Sequence, residues 1–231
     1  MNKELKVFKY RSMNDANAYL LINKDTNKAI LIDGGYQEKV ILDFIETNKL
    51  QLTDIFITHF HHDHIVSVDQ IALKTSAKIH IHQAELESLF NEQINGSQYG
   101  FLVDFQNKNI QFDIFNKEEV LEINDYKIQI FPKGGHTKGT SFYLIDNDKL
   151  FIGDTLFING IGYHKKMFEN IKHPLKLMFD LTCDDSLFFE SILSIKENYS
   201  NCLLYPGHWE EGFKIDDVLN NSSHPYHSIK K

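Results

Sequence analysis

Cysteine is almost missing from this chain: Cys183 and Cys202 are the only two thiols among 231 residues. Two cysteines imply no disulfide framework, which points to an intracellular, cytoplasmic setting, and both read as buried apolar fillers. Long hydrophobic runs are also lacking. No apolar stretch approaches the roughly 20 residues that span a bilayer. The opening Met1-Asn2-Lys3-Glu4-Leu5-Lys6 alternates charge where a signal peptide would be apolar. Positive charge is short as well. The formal net charge is -8, which argues against nucleic acid or an anionic membrane as the main partner. Internal repeats, linkers and low-complexity segments are absent. The expectation is therefore one domain over residues 1–231, with 215–231 as a polar, loosely packed tail.

What is present looks ordinary in bulk, with 42% hydrophobic and 24% charged residues. The exception is Thr58-His59-Phe60-His61-His62-Asp63-His64, directly after the apolar run Asp54-Ile55-Phe56-Ile57. That run reads as a buried strand over 54–58, and 66–75 reads as a helix. The cluster then sits on a strand-to-helix turn, where α/β proteins place their chemistry. In extended chain, residues two apart point the same way, so His59 and His61 can share one ion. Asp63 and His64, at the helix start, can reach a second point close by. His62 lies between the regular positions and reads as a supporting or exposed side chain rather than a ligand.

Along the rest of the chain, strands are expected at 5–10 and 17–23, joined by a turn at 12–15, and at 28–33, which closes on Asp33-Gly34-Gly35. A helix over 36–48 presents Val40, Ile41, Phe44 and Ile45 on one face. In the strand at 77–81, His80 and His82 read as the polar face of a half-buried strand. A helix follows at 83–91. The stretch 91–109 is polar with scattered Tyr99, Phe101 and Phe105, and reads as a long loop or a helix over the site. Further strands are expected at 110–115, 119–123, 127–131, 141–146, 149–152 and 201–205, with an amphipathic helix at 184–198. Helices interleave with strands in both halves, so helices should cover two sheets. His164 and His173 read as exposed loop histidines, and His224 and His227 as non-functional residues of the tail.

Three later residues repeat the opening pattern, each after a strand and beside glycine: His136 in Gly134-Gly135-His136-Thr137, Asp154 in Gly153-Asp154-Thr155, and His208 in Pro206-Gly207-His208. Glycine beside a ligand lets the backbone turn sharply near an ion. The seven candidates divide into His59, His61 and His136 for one metal and Asp63, His64 and His208 for another, with Asp154 able to bridge. Imidazole and carboxylate suit Zn, Fe and Mn alike.

His-x-His-x-Asp-His, Gly-His-Thr, Gly-Asp-Thr and Pro-Gly-His, in that order, resemble the metallo-β-lactamase superfamily. Asn17-Ala18-Tyr19-Leu20-Leu21 and Ile32-Asp33-Gly34-Gly35 resemble the opening strands of its glyoxalase II (hydroxyacylglutathione hydrolase) branch, and the likeness runs over about 5–208. It implies an α/β fold, a four-layer αββα sandwich of two mixed sheets flanked by helices. It implies two divalent metal ions, zinc foremost, at the seven positions named. Asp63 and Asp154 would orient the attacking water, and Asp33 would hold the metal loops by hydrogen bonds. The best-known class B lactamases carry Cys where Asp154 stands, so lactam hydrolysis is not expected. Only 23 residues follow His208, too few for the helical extension of glyoxalase II. The short single-domain bacterial type is the nearer likeness. Gly160-Ile161-Gly162-Tyr163-His164-Lys165-Lys166 stands where the branch has Gly-x-Gly and then Arg or Lys. Lys165 or Lys166 is thus expected at the substrate, and Tyr163 as a group polarising its carbonyl. Trp209 either walls the pocket or packs on the surface.

The expected activity is metal-dependent hydrolysis of a small-molecule thioester or similar activated acyl ester. The alternative is a mononuclear-iron oxidoreductase resembling persulfide dioxygenases, with Fe(II) on His59, His61 and His136 or Asp154. A lactonase or phosphodiesterase of the same superfamily ranks below both.

Overall fold

Parallel pairing of β-strands needs a crossover between them, and three helical crossovers organise the first part of this chain. The computed structural model describes residues 2–9, 15–95, 97 and 103–229. Residues 12–14 of the expected turn, Tyr99 and Phe101 lie outside these. Contacts divide the chain into two compact units, residues 1–116 with 122–126, and residues 117–121 with 127–231.

The first unit carries β1 (Lys3–Phe8), β2 (Ala18–Asn23), β3 (Lys28–Ile32), α1 (Glu38–Thr47), β4 (Gln51–Phe56), α2 (His62–Ile65), α3 (Val68–Thr75), β5 (Lys78–His82), α4 (Gln83–Leu89), α5 (Glu92–Asn95) and β6 (Phe112–Phe115). Its sheet runs β1-β2-β3-β4-β5-β6. The first three strands are antiparallel, and β3 to β6 are parallel. α1, then α2 with α3, then α4 with α5 make the crossovers. Strands covered on both faces read as unbroken apolar runs, and every residue of β2 is buried. Leu20, Leu31, Ile41, Ile55, Ile71 and Ile79 form the centre of this core.

Two expectations fail here for reasons of packing. Val40 is 54% exposed, because the buried stripe of α1 follows Ile41 and Ile45. His80 is not on a polar face. It is 3% exposed, its Nε2 lies 2.7 Å from Asp54 Oδ1 on neighbouring β4, and its ring stacks on Phe56. His82 accepts from the Ala84 amide and caps α4.

The second unit's sheet is ordered β13-β10-β9-β8-β7, from β7 (Glu119–Ile123), β8 (Tyr126–Pro132), β9 (Ser141–Ile145), β10 (Lys149–Gly153) and β13 (Leu203–Pro206). Between β10 and β13 the chain forms the small ribbon β11 (Leu156–Phe157) and β12 (Gly160–Ile161), a 3-10 turn (Lys165–Phe168), α6 (Lys176–Thr182) and α7 (Asp185–Asn198). β11, β12 and α6 fall where the sequence pattern predicts no element. Asp184 accepts from the amides of Ser186 and Leu187 and starts α7, which buries Phe188, Ile192 and Ile195. The loosely packed tail is corrected. After α8 (Ile215–Leu219), a 3-10 turn (Pro225–Ser228) follows, and Ile215, Val218 and Tyr226 join the core around Phe188 and Leu204. His224 Nε2 lies 3.1 Å from the Phe157 carbonyl and accordingly donates to it. Ile215 and Val218, one helical turn apart, and Tyr226 in the 3-10 turn dock an otherwise polar segment. Among the described residues, no helix is long and apolar enough to cross a membrane.

The Asp54–His80 pair makes stability pH-dependent. Burial pushes the Asp54 carboxyl up, but hydrogen bonds from His80 and Thr53, with the nearby charges of His80 and Lys78, outweigh it and leave a net depression. A carboxyl depressed by folding contributes stability above its unfolded pKa, and that contribution is lost as pH falls through the folded value. Asp54→Asn should lower the unfolding free energy by about 2 kcal/mol at pH 7, the scale of a hydrogen bond to a charged group. It should also lose less stability than the parent between pH 5 and pH 3, as urea unfolding at each pH would measure.

Candidate metal centre

In the first unit the donors come from the carboxyl end of β4. The chain leaves the strand at Phe56, bends at Thr58, passes through His61 (φ -57°, ψ 141°) and turns into α2, which carries Asp63 and His64 in its first turn. His59 Nε2 and His61 Nδ1 lie 3.1 Å apart. The rings of His59 and His64 are 4.0 Å apart between centroids. Donor atoms of Asp63 and His64 lie within 4.8 Å. His59, His61 and His64 are all buried.

Proton bookkeeping around Asp33 sets the tautomers. Asp33 Oδ1 accepts from the Thr58 amide at 2.8 Å, and Oδ2 accepts from the Thr58 hydroxyl at 2.7 Å. His64 Nδ1 lies 2.8 Å from the same Oδ2. A carboxylate only accepts, so His64 carries its proton on Nδ1 and turns the lone pair of Nε2 outward. The Thr58 hydroxyl has a single proton and donates it to Asp33. It therefore accepts from His59 Nδ1, 3.0 Å away, and His59 presents Nε2 in the same way. Asp33 itself is held at φ +54°, inside the turn completed by Gly34 and Gly35. A Cβ on Gly35 would stand 2.7 Å from the Ala16 carbonyl.

His62 is buried, with its Nδ1 2.9 Å from the Tyr36 hydroxyl. Asp15 accepts from the Tyr36 amide and from Gln37 Nε2. Burial, then the charges of Asp63 and Asp15, push the Tyr36 phenol up to about 12. Burial likewise raises the Asp15 carboxyl. The sequence reading misses both residues, since no motif spacing marks them.

In the second unit, His136 follows two glycines at φ +67° and +105°, and a Cβ on Gly135 would stand 2.4 Å from the Phe188 backbone. His136 Nδ1 lies 2.8 Å from the Tyr163 carbonyl, which only accepts, so His136 also presents Nε2. Its ring packs beside Phe179 and Phe188. Asp154 Oδ2 lies 3.9 Å from His136 Nε2 and 3.2 Å from His208 Nε2. The Gly207 amide donates to the Gly153 carbonyl, which holds the ends of β10 and β13 together. Gly162 allows β12 to leave beside Asp154, because a Cβ there would fall 1.8 Å from the Asp154 carbonyl.

The expected substrate residues sit next to this set. Tyr163 contributes its main-chain carbonyl to His136, while its side chain is 56% exposed against Phe168 and Phe179. Lys165 and Lys166 lie exposed on the 3-10 turn, and Lys165 Nζ reaches the Asp180 carbonyl at 3.4 Å. His164 is corrected from exposed to buried, stacked on Phe188. His173 stays exposed and accepts from the Leu175 amide. Trp209, at φ +61°, packs edge-on against Phe157 with half its surface exposed.

The donors in each unit are of the kind a divalent cation takes. They are imidazole nitrogen and carboxylate oxygen, the ligands of Zn, Fe and Mn. Two nitrogens on one tetrahedral ion stand about 3.3 Å apart when each bond is about 2.05 Å, near the 3.1 Å between His59 and His61. His59, His64 and His136 each have Nδ1 tied to an oxygen, as metal-bound histidines do. Neither cysteine belongs to these sets. Both are buried, and burial above all pushes the Cys183 thiol up to about 12.

Residues 13–207 match the sequence profile of the family described as Metallo-beta-lactamase superfamily. "Probable metallo-hydrolase YqgX" of Bacillus subtilis (strain 168) is 32% identical over 64% of this chain and 69% of its own length. "Hydroxyacylglutathione hydrolase" of Shewanella loihica is 32% identical over 74% of this chain. The match spans only 59% of that relative's length. Among solved structures, BLEG-1 B3 metallo-beta-lactamase superposes with a TM-score of 0.75 at 23% identity, covering 95% of this chain and 98% of its own. At that identity the likeness concerns the fold, and the expected α/β metallo-β-lactamase architecture of mixed sheets flanked by helices is met.

Asp33→Ala should destabilise the protein by about 3 kcal/mol or more, since it leaves a buried amide, a hydroxyl and an imidazole N–H without their shared acceptor. Urea unfolding of the metal-free protein measures this. A loss below about 1 kcal/mol would contradict the hydrogen-bond assignment.

Proposed function

The chain belongs to the metallo-β-lactamase superfamily, and from that premise we propose a hydrolase that cleaves a thioester or similarly activated acyl ester of a small molecule. In this reading His59, His61 and His136 hold one divalent ion, zinc foremost with iron or manganese as substitutes. Asp63, His64 and His208 hold a second, and Asp154 bridges. The observation that carries the reading is the shared orientation of His59, His64 and His136, each with Nδ1 bonded to oxygen and Nε2 presented. Relatives named hydroxyacylglutathione hydrolase support the thioester class. The two buried thiols agree with a cytoplasmic enzyme.

Divalent ions bound there would supply Lewis acidity and bring the pKa of water toward neutrality. Asp63 and Asp154 accept hydrogen bonds from the attacking water and aim its lone pair at the acyl carbon. Asp33 and Thr58 keep His64 and His59 in the tautomer that can bind. The departing thiol has a pKa near 8.5, so it leaves as thiolate with little help from an acid. Tyr163, Lys165 and Lys166 are assigned to the substrate, Tyr163 to its carbonyl and the lysines to negative charge on its carrier. Asp rather than Cys at position 154 sets this site apart from the best-known lactamases.

Elemental analysis of the purified protein should find about two divalent ions per chain, the count of a two-metal site. A substrate panel should show thioester cleavage above lactone or phosphodiester cleavage. His59→Ala and Asp154→Ala should each abolish turnover while the circular dichroism spectrum stays unchanged. An active, metal-free Asp154→Ala protein would refute the assignment. Oxygen uptake with glutathione persulfide, in place of thioester cleavage, would establish the iron oxidoreductase instead.

A further inference from the structure

We propose that Glu85 is a positioning residue of the metal loop, a carboxylate besides Asp33 that holds the peptide between His59 and Phe60. The inference rests on the metal centre proposed above, and concerns the loop itself rather than the reaction.

Residues 57–61 lie between β4 and α2, where no helix takes up their amides. The Ile57 amide still pairs with the His80 carbonyl of β5. Beyond it, the Thr58 amide donates to Asp33 and the Phe60 amide donates to Glu85 Oε2 at 2.8 Å. Two alternate amides thus end on two carboxylates, with His59 between them. Rotation of the His59–Phe60 peptide is set by ψ of His59 and φ of Phe60. Those torsions decide how the rings of His59 and His61 stand to each other, so fixing the Phe60 amide fixes the 3.1 Å donor pair.

Both partners of this hydrogen bond are buried. Glu85 is 0% exposed and Phe60 is 1% exposed. A carboxylate in the interior is unfavourable unless charge and hydrogen bonds compensate it. It sits in the first turn of α4, where the helix dipole favours negative charge.

The test uses the full chain stripped of metal and titrated with Zn2+ alone against a chromophoric chelator, with thermal unfolding of each metal-free variant alongside. Glu85→Ala should weaken Zn2+ binding about 10- to 100-fold, the range for groups that orient metal ligands. Glu85→Gln keeps an oxygen for the Phe60 amide and should recover most of that loss. Should Glu85→Ala fail to fold, Glu85→Asp carries the test, its carboxylate one methylene short of the amide. Weaker Zn2+ binding by the Asp variant at an unchanged metal-free unfolding temperature supports the assignment. Wild-type affinity in the Ala or Asp variant overturns it. So does a loss of affinity that Gln fails to relieve and that follows a fall in metal-free stability. A parent chain that takes up no Zn2+ overturns the metal centre and this assignment together. A parent that binds Zn2+ without cleaving thioesters overturns the reaction alone.

Discussion

The orientation of two histidines in the first unit hangs on one carboxylate. Asp33 accepts from the amide and hydroxyl of Thr58 and from His64 Nδ1. Its position follows from strand pairing. β3 and β4 run parallel with Ile32 opposite Phe56, so the residues leaving both strands emerge at the same end of the sheet. The Asp33 amide bonds to the Phe56 carbonyl, and the Gly34 amide to the His64 carbonyl. The left-handed backbone at Asp33 is a strained state that these bonds over-determine. One short side chain thereby fixes the tautomers of two histidines and the entry of the chain into α2.

The second unit solves the same problem with backbone instead of a carboxylate. The Tyr163 carbonyl orients His136, and it reaches that ring because Gly162 lets the chain pass close to Asp154. Gly135 lets the loop before His136 lie against the start of α7. Gly135 and Gly162 are there for close approach of one main chain to another. Phe179 and Phe188 then wall His136 with aromatic surface, and Phe168 stacks behind on Phe179.

The failed expectations share a cause. The readings of His80, His164 and the segment 215–231 rest on local polarity. In each case the partner that decides burial lies elsewhere: Asp54 for His80, Phe188 for His164, the core around Leu204 for Ile215 and Val218. Glu85 and Tyr36 escaped the sequence reading for the same reason. A glutamate on a helix reads as solvated, and only its contact with Phe60, 25 residues away, gives it a different part.

The sequence alone determined the ligand motifs, the order of most strands and helices and the family, because these depend on spacing between near neighbours and on runs of like polarity. Tertiary structure alone decided which nitrogen of each histidine faces outward, since that rests on acceptors brought in from other strands: Asp33 for His64, the Tyr163 carbonyl for His136. A proton's place on an imidazole is chosen by the atom opposite it. No pattern along the chain names that atom until parallel pairing and glycine turns have put it there.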